Sequence, residues 1–196
     1  MAEKNGNGAE HWEFDFSKVS AAQMDEFTKL QRRMIYRESL KIVRLALVNE
    51  PKDWPEDLAK LPFKVTAPLC KQFGEAGKDL EVPSSEDYRF DVEEISAADV
   101  EDYMLYAAIG DLRKQAELIA RYELSLKKNL DERLKAWMAK WTGAEKKRYE
   151  KMDKADLLAA MNTDALMDVP YAVFKALRAR FMDEVLNLGK NLNGQS

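Results

Sequence analysis

Two stretches of the chain share one pattern of apolar and polar positions. The stretches 10–27 (EHWEFDFSKVSAAQMDEF) and 86–103 (EDYRFDVEEISAADVEDY) align without a gap, and the difference in numbering, 86 − 10 = 76, is called the repeat offset below. Most aligned positions keep their physical type. The identical pairs are Glu10/Glu86, Phe14/Phe90, Asp15/Asp91, Ser20/Ser96, Ala21/Ala97 and Ala22/Ala98. Because self-similarity at a fixed spacing indicates repeated structural units, the pattern predicts an internal duplication.

Each stretch opens with apolar side chains at every second position, over residues 11–17 and again over 87–92. This period of two is typical of a short extended segment with one apolar face, and the two segments could pair as a two-stranded ribbon. Their aromatic rings either pack in the core or line a groove for a partner helix or strand. The candidate partner-binding residues here are Trp12, Phe14, Phe16, Tyr88 and Phe90.

A helix start follows each extended segment. Ser20 and Ser96 are suited to cap a helix, and Gln23 and Asp99 stand three residues later, where a reciprocal capping box requires them. The pattern therefore predicts a first helix in each unit. The helices predicted outside the insertion lie near 21–33, 35–48 and 67–76 in unit one, and near 97–108, 112–126 and 169–188 in unit two.

The likeness continues with two changes of spacing. One residue is inserted near Gly110-Asp111, and the stretch 61–76 resembles 169–184 with a difference in numbering of 170 − 62 = 108. Unit two is therefore expected to carry an insertion between its second and third helices, with a length of 108 − 77 = 31. The insertion is predicted to form helices near 128–140 and 143–160, broken at Thr142-Gly143.

The predicted fold is all-α, with internally duplicated helical units, short extended aromatic segments and a helical insertion in the second unit. With 8 Gly and 6 Pro among 196 residues, the composition argues against a loop-rich β fold. The predicted boundaries are a disordered tail at 1–9, unit one at 10–80, a linker at 81–85, unit two at 86–190 with its insertion at about 127–160, and a disordered tail at 191–196.

The composition indicates a soluble protein of a reducing compartment. The single cysteine, Cys70, cannot form an intramolecular disulfide, and no apolar run approaches the roughly 18 residues of a membrane span. The N-terminus lacks the character of a signal peptide, so we predict a cytoplasmic protein without a membrane partner. The net charge of −4 disfavours a dedicated nucleic-acid binder.

The sequence contains no complete set of catalytic or metal-binding residues. The lone histidine, His11, has no second His or Cys cluster beside it, and no histidine is placed to activate Cys70. Paired acids at Asp25-Glu26 and Glu101-Asp102 lie near predicted helix starts, where carboxylates favour the positive end of the helix dipole. A glycine-rich phosphate loop is absent. We therefore expect no enzyme activity, no cofactor and no metal.

The insertion differs in charge from the rest of the chain. The stretch 127–154 contains ten Lys/Arg and five Asp/Glu, a net of +5, which leaves 21 basic and 30 acidic side chains elsewhere, a net of −9. Trp137 and Trp141 lie one helical turn apart within this basic stretch. Three interpretations remain open: a hairpin packed on the core, a surface for a protein partner that uses Trp137 and Trp141, or a site that stacks nucleic-acid bases.

In unit two an aromatic-x-Phe-Asp opening precedes a Ser-capped helix, a Gly-Asp step (Gly110-Asp111) introduces the second helix, and an apolar-Pro-aromatic step (Val169-Pro170-Tyr171) begins the last one. The order of these signals resembles the tail assembly chaperones of long-tailed (siphovirus-type) bacteriophages and their prophage relatives. The likeness covers most of unit two and extends more loosely to unit one, which lacks the Gly-Asp step and has Pro68 inside its third helix.

This resemblance implies a protein that binds and solubilises the tape-measure protein in the host cytoplasm until tail tube subunits polymerise around it. Homo-oligomers are compatible with this role. Two alternatives stay open: a nucleic-acid-binding module that uses the basic and aromatic insertion, and a structural tail or connector component that remains in the virion.

Overall fold

The protein is all-helical wherever its structure is described, which confirms the predicted all-α class. The computed structural model describes residues 11–82 and 88–193. Within these ranges it contains nine α-helices, and its β-bridges are isolated ones outside any strand. They are α1 (Ala21–Arg32), α2 (Tyr36–Ala46), α3 (Phe63–Asp79), α4 (Ala97–Ile109), α5 (Leu112–Tyr122), α6 (Leu130–Met138), α7 (Gly143–Tyr149), α8 (Lys154–Met167) and α9 (Tyr171–Asn193).

The described residues form two compact units. Unit 1 comprises residues 11–82 together with 170–173, and unit 2 comprises 88–169 together with 174–193. The predicted N-terminal tail and part of the predicted linker lie outside the described residues. The helix α9 continues to Asn193, within the stretch for which a C-terminal tail was predicted. No helix of the described ranges is long and apolar enough to cross a membrane.

The predicted capping boxes at Ser20 and Ser96 are both confirmed. Ser20 Oγ accepts the Gln23 N–H at 3.2 Å, and the Gln23 side chain accepts the Ser20 N–H at 2.9 Å. In the same way Ser96 Oγ accepts the Asp99 N–H at 3.1 Å, and Asp99 Oδ2 accepts the Ser96 N–H at 3.3 Å. Each pair satisfies backbone N–H groups that a helix start otherwise leaves without an acceptor.

The aromatic segments pair with helix ends, so the predicted ribbon between them is wrong. Phe14 forms an isolated antiparallel bridge with Leu47, just after α2, and Phe90 forms one with Glu123, just after α5. The last carbonyls of a helix have no partner within the helix, and the aromatic segment supplies one in each unit. Two bonds recur at the repeat offset: Asp15 N–H to Ala46 O and Asp91 N–H to Tyr122 O at 2.8 Å, and Val48 N–H to Glu13 O and Leu124 N–H to Arg89 O at 2.9 Å.

The predicted one-residue insertion near Gly110 is also wrong. The helices α2 and α5 keep the repeat offset at both ends, since 112 − 36 and 122 − 46 both equal 76. Met34 has φ 56° and Gly110 has φ 67°, so both turns place a left-handed residue between the first and second helices. The extra length of unit 2 lies wholly later, because the connection to the third helix spans 47–62 in unit 1 and 123–170 in unit 2, a difference of 48 − 16 = 32.

The inserted segment forms three helices where two were predicted. Thr142 caps α7 with a reciprocal box, which confirms the break at Thr142-Gly143. The predicted helix at 143–160 is wrong, because Asp153 Oδ1 accepts the Asp156 N–H at 2.9 Å and starts α8 anew. The helix α8 packs along α5, where Arg113 Nη2 lies 2.8 Å from Asp164 Oδ1.

A glycine in α3 marks the tightest packing against the aromatic segment of unit 1. A Cβ atom at Gly77 would lie 2.6 Å from Met24 Cε and 3.2 Å from Phe16 Cε1. The Met24 methyl can move, but Phe16 is buried and its ring packs 5.1 Å from Phe73. Position 77 therefore has little room for a side chain.

We predict that Gly77→Leu lowers the free energy of unfolding by about 1–3 kcal/mol, because overpacking a filled core displaces its neighbours. The matched control is Gly143→Leu, since a Cβ there meets nothing within 4 Å. Urea denaturation followed by circular dichroism measures both. Equal stability of the two variants would contradict the packing described for Gly77.

Candidate protein-binding surface

The core of unit 1 is built around the ring of Phe73 on α3. Phe14 contacts it edge-on with centroids 5.3 Å apart, Phe16 lies at 5.1 Å, and Phe27 of α1 lies edge-on at 4.7 Å. Phe73 is fully buried. The aromatic segment, the first helix and the third helix therefore meet at a single side chain.

Unit 2 places Phe181 of α9 in the equivalent position. Phe90 contacts its ring edge-on at 5.2 Å, Tyr103 of α4 lies at 5.1 Å, and Tyr122 of α5 stacks at 6.4 Å. The sequence alignment placed Phe181 opposite Phe73, and each is the centre of its own aromatic cluster.

Most of the aromatic side chains in these two segments therefore pack in the core and expose little surface to a partner. Trp12, Phe16 and Phe90 are buried, while Phe14 and Tyr88 are half-buried. A side chain with so little exposed area can contribute little to a groove without rearrangement of the core. Of the two interpretations of these residues, core packing describes the buried three.

The other two candidate residues belong to a separate cluster in the insertion. The rings of Trp137, Trp141 and Tyr149 lie 4.9 to 5.3 Å apart in all three pairings. Tyr149 is buried and the two tryptophans are half-buried. The Arg148 guanidinium lies 5.1 Å from the centre of the Tyr149 ring. Trp137 and Trp141 therefore hold α6 against α7 and keep only part of their area for a partner.

Asp99, Arg121 and Tyr122 form a cluster of titratable side chains in unit 2. The Tyr122 hydroxyl donates to Asp99 Oδ2 at 2.7 Å, and Arg121 lies 3.2 Å from Asp99 Oδ1. The Ser96 hydrogen bond lowers the pKa of Asp99, and burial together with the Asp99 contact raises the pKa of Tyr122 to about 12. These groups connect the start of α4 to the end of α5, so the cluster stabilises a helix pair.

The candidate chemical residues of the sequence differ in burial and in contacts. His11 is exposed, and its backbone carbonyl accepts a hydrogen bond from Asn49 Nδ2 at 3.2 Å. Asp25 is buried and pairs with Lys29 at 2.5 Å, whereas Glu101 and Asp102 are exposed. Over residues 11–82 and 88–193, no group of three or more His, Cys, Asp or Glu side chains could hold a metal ion.

The structure adds a candidate surface that periodicity did not indicate. Met34 is 77% exposed in the turn between α1 and α2, and its φ of 56° lies where an L-residue normally costs about 1–2 kcal/mol. Unit 2 has Gly110 in this position. The signal in the sequence is the absence of a glycine at the end of α1.

Two more apolar side chains follow Met34 directly along the chain, and a third contacts one of them. Ile35 is exposed, and Tyr36 packs edge-on against the 63% exposed ring of Phe63 at 5.2 Å. Together Met34, Ile35, Tyr36 and Phe63 form what we call the turn patch. Contiguous exposed apolar side chains mark interaction sites more reliably than single ones.

Comparisons with known proteins found no matching family model, no matching curated protein and no matching solved structure. The fold and the surface therefore define an all-α protein with exposed apolar patches.

We predict that Cys70 is inert in the folded protein. Its side chain is 2% exposed, and burial raises the pKa of its thiol to about 11, so the reactive thiolate is scarce at neutral pH. A thiol reagent should label the native protein far more slowly than the urea-unfolded protein. Because the folded pKa is raised, the buried thiol stabilises the protein fully below pH 9 and less as pH rises towards 11. Rapid labelling of the native state would contradict this prediction.

Proposed function

We propose that this chain is an assembly chaperone that binds and solubilises an apolar helical protein. The observation that carries the proposal is Met34, a large apolar side chain that is exposed and also held in a left-handed backbone conformation. Both features cost stability, and the corresponding turn of unit 2 avoids both costs with Gly110. Costs of this kind persist at binding sites, where the side chain is needed by a partner.

The chemistry of the turn patch suits an apolar helix. Methionine is flexible and polarisable, so it adapts to differently shaped apolar partners. Phe63 and Tyr36 add a rigid aromatic edge beside it. A helix that lays an apolar stripe across Met34 and Phe63 would bury both, as amphipathic helices do in apolar grooves.

We also propose that the two units arose by internal duplication. Support comes from the repeat offset, which is shared by the capping boxes, the segment-to-helix hydrogen bonds and the left-handed turn residues. A protein with two related units can contact a long client at more than one place, which strengthens the coating through effective concentration.

For the identity of the client we rely on the resemblance to tail assembly chaperones. The proposed client is the tape-measure protein of a long-tailed phage, held soluble in the host cytoplasm until tube subunits replace the chaperone. Trp137 and Trp141 are proposed as an added contact, because both keep part of their area exposed beside basic side chains.

The alternative of a nucleic-acid-binding insertion has less support. Bases stack on open aromatic faces, but Trp137, Trp141 and Tyr149 pack against each other at 4.9 to 5.3 Å. Titration with single-stranded and double-stranded DNA and RNA at rising salt separates this alternative. A structural role in the virion is separated by mass spectrometry of purified particles.

We predict that Met34→Gly weakens client binding without weakening the fold. Glycine suits φ 56°, so the free energy of unfolding should stay equal or rise by up to about 1 kcal/mol. Loss of the exposed methionine should nevertheless reduce the amount of tape-measure protein recovered in the soluble fraction on co-expression. Phe63→Ser should reduce it in the same way.

The matched control is Val48→Ser, because Val48 is 55% exposed but follows the opposite end of α2. It should leave client recovery at the wild-type level. The proposal fails if the wild-type chain neither raises the solubility of the tape-measure protein nor co-purifies with it. The assignment to the turn patch fails if Met34→Gly and Phe63→Ser both retain full recovery.

A further inference from the structure

The first helix of unit 2 exposes a group of large apolar side chains near its C-terminal end. Within α4, all of which is described, only Tyr103 is buried. Three large apolar side chains near its end are about half exposed: Met104 at 52%, Leu105 at 55% and Ile109 at 47%. Ala108 is exposed between them. We call these four residues the α4 face.

The corresponding helix of unit 1 is a built-in comparison. The helices α1 and α4 share the capping box, the turn that follows and the aromatic contact to the third helix. At the positions that the repeat offset pairs with the α4 face, unit 1 has Thr28, Lys29 and Arg32 in α1 and Arg33 directly after it. The shared framework therefore accepts polar and basic side chains here, and the apolar α4 face needs another explanation.

Exposed acidic side chains precede the α4 face along the chain. Glu101 and Asp102 are exposed one turn before it, and Glu93 and Glu94 are exposed in the turn that precedes the helix. Lys and Arg are absent from α4 itself. An occupant of this face should therefore combine apolar side chains with positive charge.

The insertion of the same chain has that combination. The stretch 127–154 has a net charge of +5, and Lys140 and Lys151 are exposed. Met138, next to Trp137 in the sequence, is 41% exposed. Met152, three residues after Tyr149, is 38% exposed. Both surfaces belong to unit 2, and both keep apolar area exposed within the folded chain. Both surfaces are therefore accessible to a second molecule.

We propose that the α4 face of one molecule binds the basic insertion of a second copy of this chain. The contact joins two different surfaces, so each bound molecule still has one unoccupied α4 face or one unoccupied insertion to offer a third copy. Such a heterologous interface extends head to tail into a ring or an open chain. Methionine and leucine side chains supply apolar contact, and Glu101 and Asp102 face Lys140 and Lys151.

The size of the patches indicates a weak and reversible association. Stable interfaces bury roughly 800 Å² per partner, more than four side chains of one helix expose. Charge complementarity across a small apolar centre favours fast encounter and makes the association sensitive to salt. Assembly should therefore grow with protein concentration and decline as salt rises.

Two variants of the full chain remove one side of the contact each. Leu105→Lys/Ile109→Arg gives α4 the residues that unit 1 has at the corresponding positions, and the new lysine follows Glu101 by four residues as Lys29 follows Asp25. Lys140→Glu/Lys151→Glu reverses two exposed charges outside the helices of the insertion. Circular dichroism melts check that both variants stay folded. Val48→Lys is the control, because Val48 is an exposed apolar side chain outside both the turn patch and the α4 face.

Sedimentation velocity over a range of micromolar concentrations at low salt is the measurement. The wild type and the Val48→Lys control should form species larger than dimers in a concentration-dependent way. Each double variant alone should be monomeric, with an association constant reduced at least about tenfold. An equimolar mixture of the two variants should form heterodimers and nothing larger, because one intact α4 face meets one intact insertion.

Three outcomes would overturn the proposal: a wild type that remains monomeric at every concentration, a folded α4 variant that assembles like the wild type, or a mixture without heterodimers. The last result would indicate a symmetric interface or a different surface. The test involves no client protein and leaves the turn patch intact in both double variants, so its failure is distinguishable from failure of the proposed chaperone function.

Discussion

Each unit depends on the enclosure of one third-helix phenylalanine by aromatic rings that are distant in sequence. Phe73 lies far beyond Phe14 along the chain, and Phe181 lies further still beyond Phe90. Such contacts close long loops, and the area that the rings bury offsets the entropy of closure. The aromatic segment is irregular and makes few backbone hydrogen bonds within itself. Two kinds of contact therefore position it: hydrogen bonds to the end of the second helix, and ring packing on the third-helix phenylalanine.

The features that the sequence predicted correctly are local ones. A serine with Gln23 or Asp99 three residues later specifies a capping box through bonds within one turn, and both boxes form. The partner of each aromatic segment is not local, because it depends on which helix end leaves its carbonyls within reach. The break before α8 was missed for a different reason: the apolar pattern continues through Asp153, whereas the backbone follows the Asp153 cap.

The candidate binding residues in the structure differ from those the sequence indicated, because the core and a partner compete for the same apolar side chains. Apolar alternation marks Trp12 and Phe16 as important, but it cannot state whether they face the core or a partner. Both face the core. The residues available to a partner are those the core does not need, such as Met34, and periodicity hides them because their exposure follows from a turn with positive φ.

The net charge of the whole chain also gave an incomplete picture of the surfaces that a partner could meet. The net of −4 conceals a basic insertion of +5 and an acidic remainder of −9, so the average described neither surface. The two units show how such surfaces can differ while the frame stays the same: the interior fixes the cap, the turn and the central phenylalanine, but it places no demand on the outer face of the first helix. That face is basic in α1 and apolar with acidic neighbours in α4. Because the turn patch lies in unit 1 and the α4 face in unit 2, the proposed client binding and the proposed self-association would use separate side chains, so that either could change without loss of the other.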